Sequence, residues 1–320
     1  MAILRQVAYI ASLVPLVVAD IGTGGYLIIG NDAPFGLPDS SFRPLSQANA
    51  TGSFTIPGFN LSSSNPSVQG DGHNWNLDIS VQANIPLNGS NDTSLSAAEK
   101  NDFTQFISIS LSNVEKTEVS KIAKGNKMCG YVMLGLKANV IADNQDDATK
   151  GGNCDFLSQQ CQRDLNAAAQ GGFSDCGSAP LPDSCNDWLG PSGDQIFQMT
   201  SFAFNEKLIT DGRFFTAGSA PSSENNQTEY DSAVRYIWPV ILTWSHTSNT
   251  PDNMTTTTSA LRCLRASNIT NGSRDPNASN KGGNGDNGDD GHSNAAGLNS
   301  APTFWLTLSL MGVASGLAFL

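Results

Sequence analysis

The chain is poor in charge, in histidine and in catalytic motifs, and it has no long apolar run away from its two ends. Only 17 basic side chains stand against 29 acidic ones, a net charge of −12 that repels phosphates and anionic lipid headgroups. Nucleic acid is therefore excluded as a partner class. Three histidines, His73, His246 and His292, leave little material for a Ser-His-Asp triad. No G-x-S-x-G, H-E-x-x-H or Walker sequence occurs, and Gly22, Gly24 and Gly25 do not follow a strand as a dinucleotide fingerprint requires. No C-x-x-C pair occurs and the histidines stand far from the cysteines, which argues against zinc. A copper site braced by a histidine at the processed N-terminus fails as well, because Asp20 is expected there.

What is present lies first at the termini. Arg5 precedes an apolar stretch from Val7 to Val18, and Val17 and Ala19 supply small residues beside a cleavage point after Ala19. Residues 1–19 read as a secretory leader. At the other end, Phe304–Leu320 is uncharged and ends with the chain. As a helix it would reach roughly 25 Å, short of a bilayer core, and no basic residue follows it. Ser293, Asn294, Ala295 and Ala296 are small, and Gly297–Thr303 form a polar spacer, the pattern of a glycosylphosphatidylinositol (GPI) signal. Asn294 is the expected attachment residue, with 295–320 removed and the membrane reached only through the lipid.

Nine N-x-[ST] sequons stand at Asn49, Asn60, Asn88, Asn91, Asn226, Asn253, Asn268, Asn271 and Asn277. Behind a leader they predict N-glycosylation on surface positions. Six cysteines, Cys129, Cys154, Cys161, Cys176, Cys185 and Cys263, predict three disulfides in an oxidising compartment. Cys176 and Cys185 flank a turn-rich segment and suit a local loop, which leaves the strand residues Cys129 and Cys263 for a distant pair. Cys154 and Cys161 either join each other across an unwound helix start or reach elsewhere.

Trp75–Ile85 alternates apolar and polar residues without a fault, and Ile107, Ile109 and Leu111 repeat the pattern, as half-buried strands do. Cys129–Val140 is more continuously apolar, as in a central strand. Val234, Tyr236, Trp238, Val240, Leu242 and Trp244 alternate too, and Pro239 assigns that strand to an edge or a bulge. Thr255–Leu264 is a fifth strand, and Asp155–Gln170 is the one convincing helix. The expected fold is mainly β, an antiparallel sandwich over 20–265 with a disulfide-rich helical insertion at 151–189. From Ala266 the composition turns to Asn, Gly, Ser and Asp, so 266–294 reads as a flexible glycosylated stalk. Asp286, Asp289 and Asp290 lack the spacing and the closing glutamate of a calcium loop and read as solvated linker. No metal and no cofactor is assigned.

The stretch from Trp75 through Cys129 to Asn153-Cys154-Asp155-Phe156-Leu157-Ser158-Gln159-Gln160-Cys161 resembles secreted GPI-anchored glycoproteins of filamentous ascomycete fungi, which pair a strand-borne cysteine with a short acidic C-x6-C helix. The resemblance covers about half the chain and implies a fungal surface protein of unassigned function, with no functional residue to carry over. The expectation is a non-catalytic glycoprotein of the cell surface or cell wall. A glycan-binding module that holds wall polysaccharide through an exposed aromatic is the alternative, with Trp188 as its candidate, since Trp75, Trp238 and Trp244 fall on apolar faces. A wall-remodelling glycosidase needs two carboxylates at a set separation, and the sequence nominates no pair.

Overall fold

The computed structural model describes residues 17–21, 25–29, 33–58, 74–114, 128–137, 151–172, 176–177, 179–189, 198–247 and 255–276. Two antiparallel sheets carry the fold. The larger is formed by β1 (Val17–Ile21), β2 (Gly25–Ile29), β3 (Ala50–Pro57), β4 (Asn74–Pro86), β5 (Phe103–Ser112), β8 (Arg213–Gly218) and β11 (Asn268–Ile269). Its order is β1-β2-β8-β5-β4-β3-β11. The smaller contains β6 (Met128–Leu134), β7 (Gln198–Ala203), β9 (Trp238–Thr247) and β10 (Thr255–Leu264), in the order β10-β9-β6-β7.

Alternation decides how the sheets meet. Leu77, Ile79 and Val81 of β4 and Ile107, Ile109 and Leu111 of β5 face Met128, Val132 and Leu134 of β6 and Val240 and Leu242 of β9 in one continuous core. The opposite face of the smaller sheet is also covered. Cys129, Tyr131, Met133, Ile241, Leu261 and Cys263 pack against Cys161, Leu165 and Ala169 of helix α1 (Gln159–Gly171). Burial on both sides among apolar residues explains why Met128–Leu134 reads as unbroken apolar sequence, whereas the second face of β4, also buried at Asp78, Ser80 and Gln82, is filled by hydrogen-bonded polar side chains and so alternates.

Four differences from the sequence reading are found. α1 begins at Gln159, four residues later than expected, because Ser158 caps it by accepting the Cys161 N–H at 3.1 Å. Val234 and Tyr236 do not belong to a strand. Asn226 caps helix α3 (Gln227–Arg235), which ends shortly before Trp238-Pro239, and β9 starts only at Trp238. A short helix α2 (Glu206–Asp211) was also not foreseen. Finally, β9 lies inside its sheet between β10 and β6, and the register through Pro239 carries no bulge. Proline is tolerated there because its partner Cys263 sends its N–H away from β9, to Gly152 O at 2.9 Å. The missing proton of Pro239 thus faces the β6 side, where pairing stops at Val132↔Val240.

All six cysteines are paired, as Cys129–Cys176, Cys154–Cys263 and Cys161–Cys185. None of the pairs suggested by sequence spacing forms. Cys154 takes a left-handed backbone, φ 59°, just before α1, and joins the end of β10. Cys161 faces into the helix layer and meets Cys185, and Cys176 returns to β6.

The Cys154–Cys263 bridge spans 109 residues and fastens α1 to the smaller sheet. Cys154→Ala with Cys263→Ala is expected to cost about 2–4 kcal/mol in denaturant unfolding. Non-reducing peptide mapping should recover the three cross-linked pairs named above, and recovery of Cys176 joined to Cys185 would contradict this layer.

Candidate functional site

The face of the larger sheet turned away from the intersheet core carries an organised set of polar side chains, those of β4 and β8 buried and the β5 serines half-buried. Asp78, Ser80 and Gln82 alternate with the core residues of β4, and Ser108, Ser110 and Ser112 do so on β5. Antiparallel register sets Asp78 opposite Ser110 and Ser80 opposite Ser108, with Thr216 of β8 beyond Ser108. The Ser80 and Ser108 hydroxyls lie 2.8 Å apart, and Ser112 Oγ donates to Asp78 Oδ2 at 2.5 Å. Gln82 clasps the backbone of Arg43, accepting from its N–H and donating to its carbonyl, both at 2.8 Å. That clasp pins the loop carrying Phe42, whose ring packs at a tilt against Phe106, centroids 5.2 Å apart, and lies 3.5 Å beneath the Arg213 guanidinium. The half-buried hydroxyls of Ser108, Ser110 and Ser112 thus lie in a row flanked by a cation on an aromatic ring. Such a row can hydrogen-bond a polar ligand, and Ser112 and Asp78 set a hydroxyl against a carboxylate.

A second organised region is the segment after β10. Residues 266–276, expected as the start of a flexible stalk, are packed onto the domain instead. Ala266 is fully buried, and Arg265 O crosses so closely over Gly52 that a Cβ there would lie 2.2 Å from it. Asn268–Ile269 pair with Thr51 and Ala50 as β11. Thr270 Oγ1 donates to Ala48 O at 2.6 Å. Beyond, Arg274 forks onto both oxygens of Asp231 at 2.8 and 2.9 Å, and Tyr230 Oη donates to Arg274 O at 3.1 Å. Burial, followed by the charges of Asp231 and Asp275, pushes the Tyr230 phenol up to about 12, so it stays a donor at physiological pH. Arg235 holds Pro276 O. The strap escaped sequence reading because it uses backbone, hydroxyl and guanidinium groups, and a two-residue strand has no periodicity to detect.

The sequence-predicted sites distribute as follows. Asn88, Asn91, Asn268 and Asn271 are exposed; Asn226 is half-buried and caps α3 through its Oδ1, which accepts the Glu229 N–H at 3.2 Å. Asn49 differs. Its Oδ1 accepts the Ala83 N–H at 2.7 Å and its Nδ2 donates to Ser273 Oγ at 3.2 Å, so it ties β3 to β4 and to the strap. Asn60, Asn253, Asn277 and Asn294 lie outside the described residues. Trp188 is half-buried against the helix layer rather than a fully exposed platform. Trp75, Trp238 and Trp244 are core residues. His73 and His292 lie outside the described residues, and His246 sits on β9. Among the described residues no three His, Cys, Asp or Glu side chains converge on a common point, and no helix is long and apolar enough to cross a membrane.

Comparison with protein-family models, with curated proteins and with solved structures found no match to this chain.

The two bonds of Asn49 are part-buried and lock three segments. Asn49→Ala is expected to lower unfolding stability by about 1–3 kcal/mol. Asn88→Ala, at an exposed position, should leave the denaturation midpoint in place.

Proposed function

We propose that the chain is a non-catalytic, GPI-anchored glycoprotein of the cell surface or cell wall, of fungal type. The observation that carries the reading is the uncharged segment Phe304–Leu320 behind the small residues at 293–296, the composition of an attachment signal. Three disulfides support an oxidising compartment. Exposed sequons at Asn88, Asn91, Asn268 and Asn271 support glycosylation, and Asn226 is compatible with it because a glycosylated amide keeps the oxygen that caps α3. Asn49 is the poorest acceptor, since it is half-buried with its amide oxygen committed to Ala83 and its amide nitrogen to Ser273, whereas Asn268 is exposed.

Phosphatidylinositol-specific phospholipase on intact cells is expected to release the protein. Mass spectrometry of the released chain should end at Asn294, with glycans on Asn88, Asn226 and Asn268 and an unmodified Asn49. Detection of Leu320 in the mature polypeptide defeats the anchor reading.

A second reading, a glycan-binding head, is favoured by the hydroxyl rows of Ser108, Ser110 and Ser112 beside Arg213 on Phe42. Under it, the deglycosylated head sediments with insoluble wall polysaccharide, and Ser110→Ala with Ser112→Ala abolishes this while Trp188→Ala does not. Sedimentation lost only in Trp188→Ala would move the site to the helix layer, and no sedimentation would end this reading.

A further inference from the structure

We propose that removal of the leader opens β2 as a free sheet edge, and that a second copy of the chain occupies it by pairing β2 with β2 across a two-fold axis. The inference rests on the cleavage after Ala19 put forward above. β1 is the outermost strand of the larger sheet, and its register against β2 is Val17↔Ile28, Val18↔Leu27 and Ile21↔Gly25. Cleavage after Ala19 takes away both partners of Ile28 and Leu27. Only Asp20 and Ile21 of β1 remain, with the single pair Ile21↔Gly25. β2 stays fixed on its other side, where Tyr26, Leu27, Ile28 and Ile29 pair with Gly218, Ala217, Thr216 and Phe215 of β8.

The edge so exposed is Gly25-Tyr26-Leu27-Ile28-Ile29, without charge and without proline. Those are the two guards that sheet edges ordinarily carry against strand addition. The opposite edge of the same sheet is treated differently. There β11 carries the exposed sequon Asn268 in the strand itself, with Asn271 directly after it, so a glycan stands on that edge. No sequon occurs between Asp20 and Gln47. One edge is thus open and the other shielded by the same processing.

Three points select a second copy as the occupant. β1 itself demonstrates that this edge accepts an antiparallel strand. Antiparallel pairing of β2 with its own copy is isologous, closes as a dimer, and requires no partner of other composition. The chain carries a net charge of −12, so two copies repel over most of their surface, and the uncharged β2 is a segment where contact costs little. Tethering on one membrane raises the effective concentration that such a contact needs.

The test uses the secreted, processed chain, with its N-terminus sequenced and its mass followed by light scattering over a dilution series. The expected result is a chain beginning at Asp20 with twice the monomer mass when concentrated, and backbone amides of 25–29 that are protected from exchange only in the dimer. Ile28→Asn with Gly30→Thr, which puts a sequon on β2, is expected to give a monomer at every concentration with the three disulfides intact. Should that variant fail to be secreted, Ile28→Lys sets like charges together across the two-fold axis and is expected to weaken the dimer. A chain that begins at Asp20 and stays monomeric overturns this inference alone, as does a dimer unaffected by either variant. A chain that retains residues 17–19 overturns the inference together with the leader reading.

Discussion

The structure depends on burying β6 from both sides. Met128, Val132 and Leu134 point into the space between the sheets, and Cys129, Tyr131 and Met133 point under α1. A four-stranded sheet with one wet face would have needed polar residues at the second set. Here both sets are fully or nearly fully withdrawn from water, and each large apolar side chain so placed contributes about 1.5–3 kcal/mol. The helix layer is too small to hold that second core by itself. α1 spans 13 residues, near the lower limit of what is stable without tertiary help, and only three of its side chains are fully buried. Its attachment is therefore covalent. Each disulfide has at least one end in this layer or on the strands beneath it, and the Tyr131 hydroxyl reaches up to Ala169 O at 3.0 Å as the polar counterpart of those links.

That arrangement explains which parts of the fold were legible. β4 and β5 could be read because core-facing apolar side chains alternate with polar ones and period two survives in the sequence, and β10 from its run of β-branched threonines. β6 was legible for the opposite reason, as a short run with no polar interruption between Met128 and Leu134. The alternation from Val234 to Trp244 misled because helix α3, a two-residue connector and strand β9 all turn their apolar residues into the same core. A residue spacing of two then arises from three different backbones. The capping pair Asn226 and Glu229 was the available signal that a helix came first.

Disulfide pairing was illegible because it is a property of layers, not of spacing. Short sequence separations favour local loops on entropy grounds, yet Cys176 and Cys185 each bond to a different element. Cys154 reaches Cys263 only because Gly152, at φ +61°, lets the chain fold against Phe54 and the Cys263 carbonyl, with no room for a side chain. Nothing in the order of residues reports that approach. Of the polar outer face, Asp78, Ser80 and Gln82 were legible as the non-core half of β4. Their bonds to Ser112, Ser108 and Arg43 required the register.

The strap extends the same logic to the surface. Segment 266–276 has a composition that cannot build a core, and it builds none; it borrows one by lying across β3 and clamping onto α3. The sequon residues take part in this borrowing. Thr51, the hydroxyl residue of the Asn49 sequon, accepts from Asn268, and Ser273, that of the Asn271 sequon, accepts from Asn49. Thr270, that of the Asn268 sequon, donates to Ala48 O. Once the strap is seated these hydroxyls are engaged within the fold, and with both polar atoms of the Asn49 amide they fasten β3, β4 and the strap to one another without an apolar core between them.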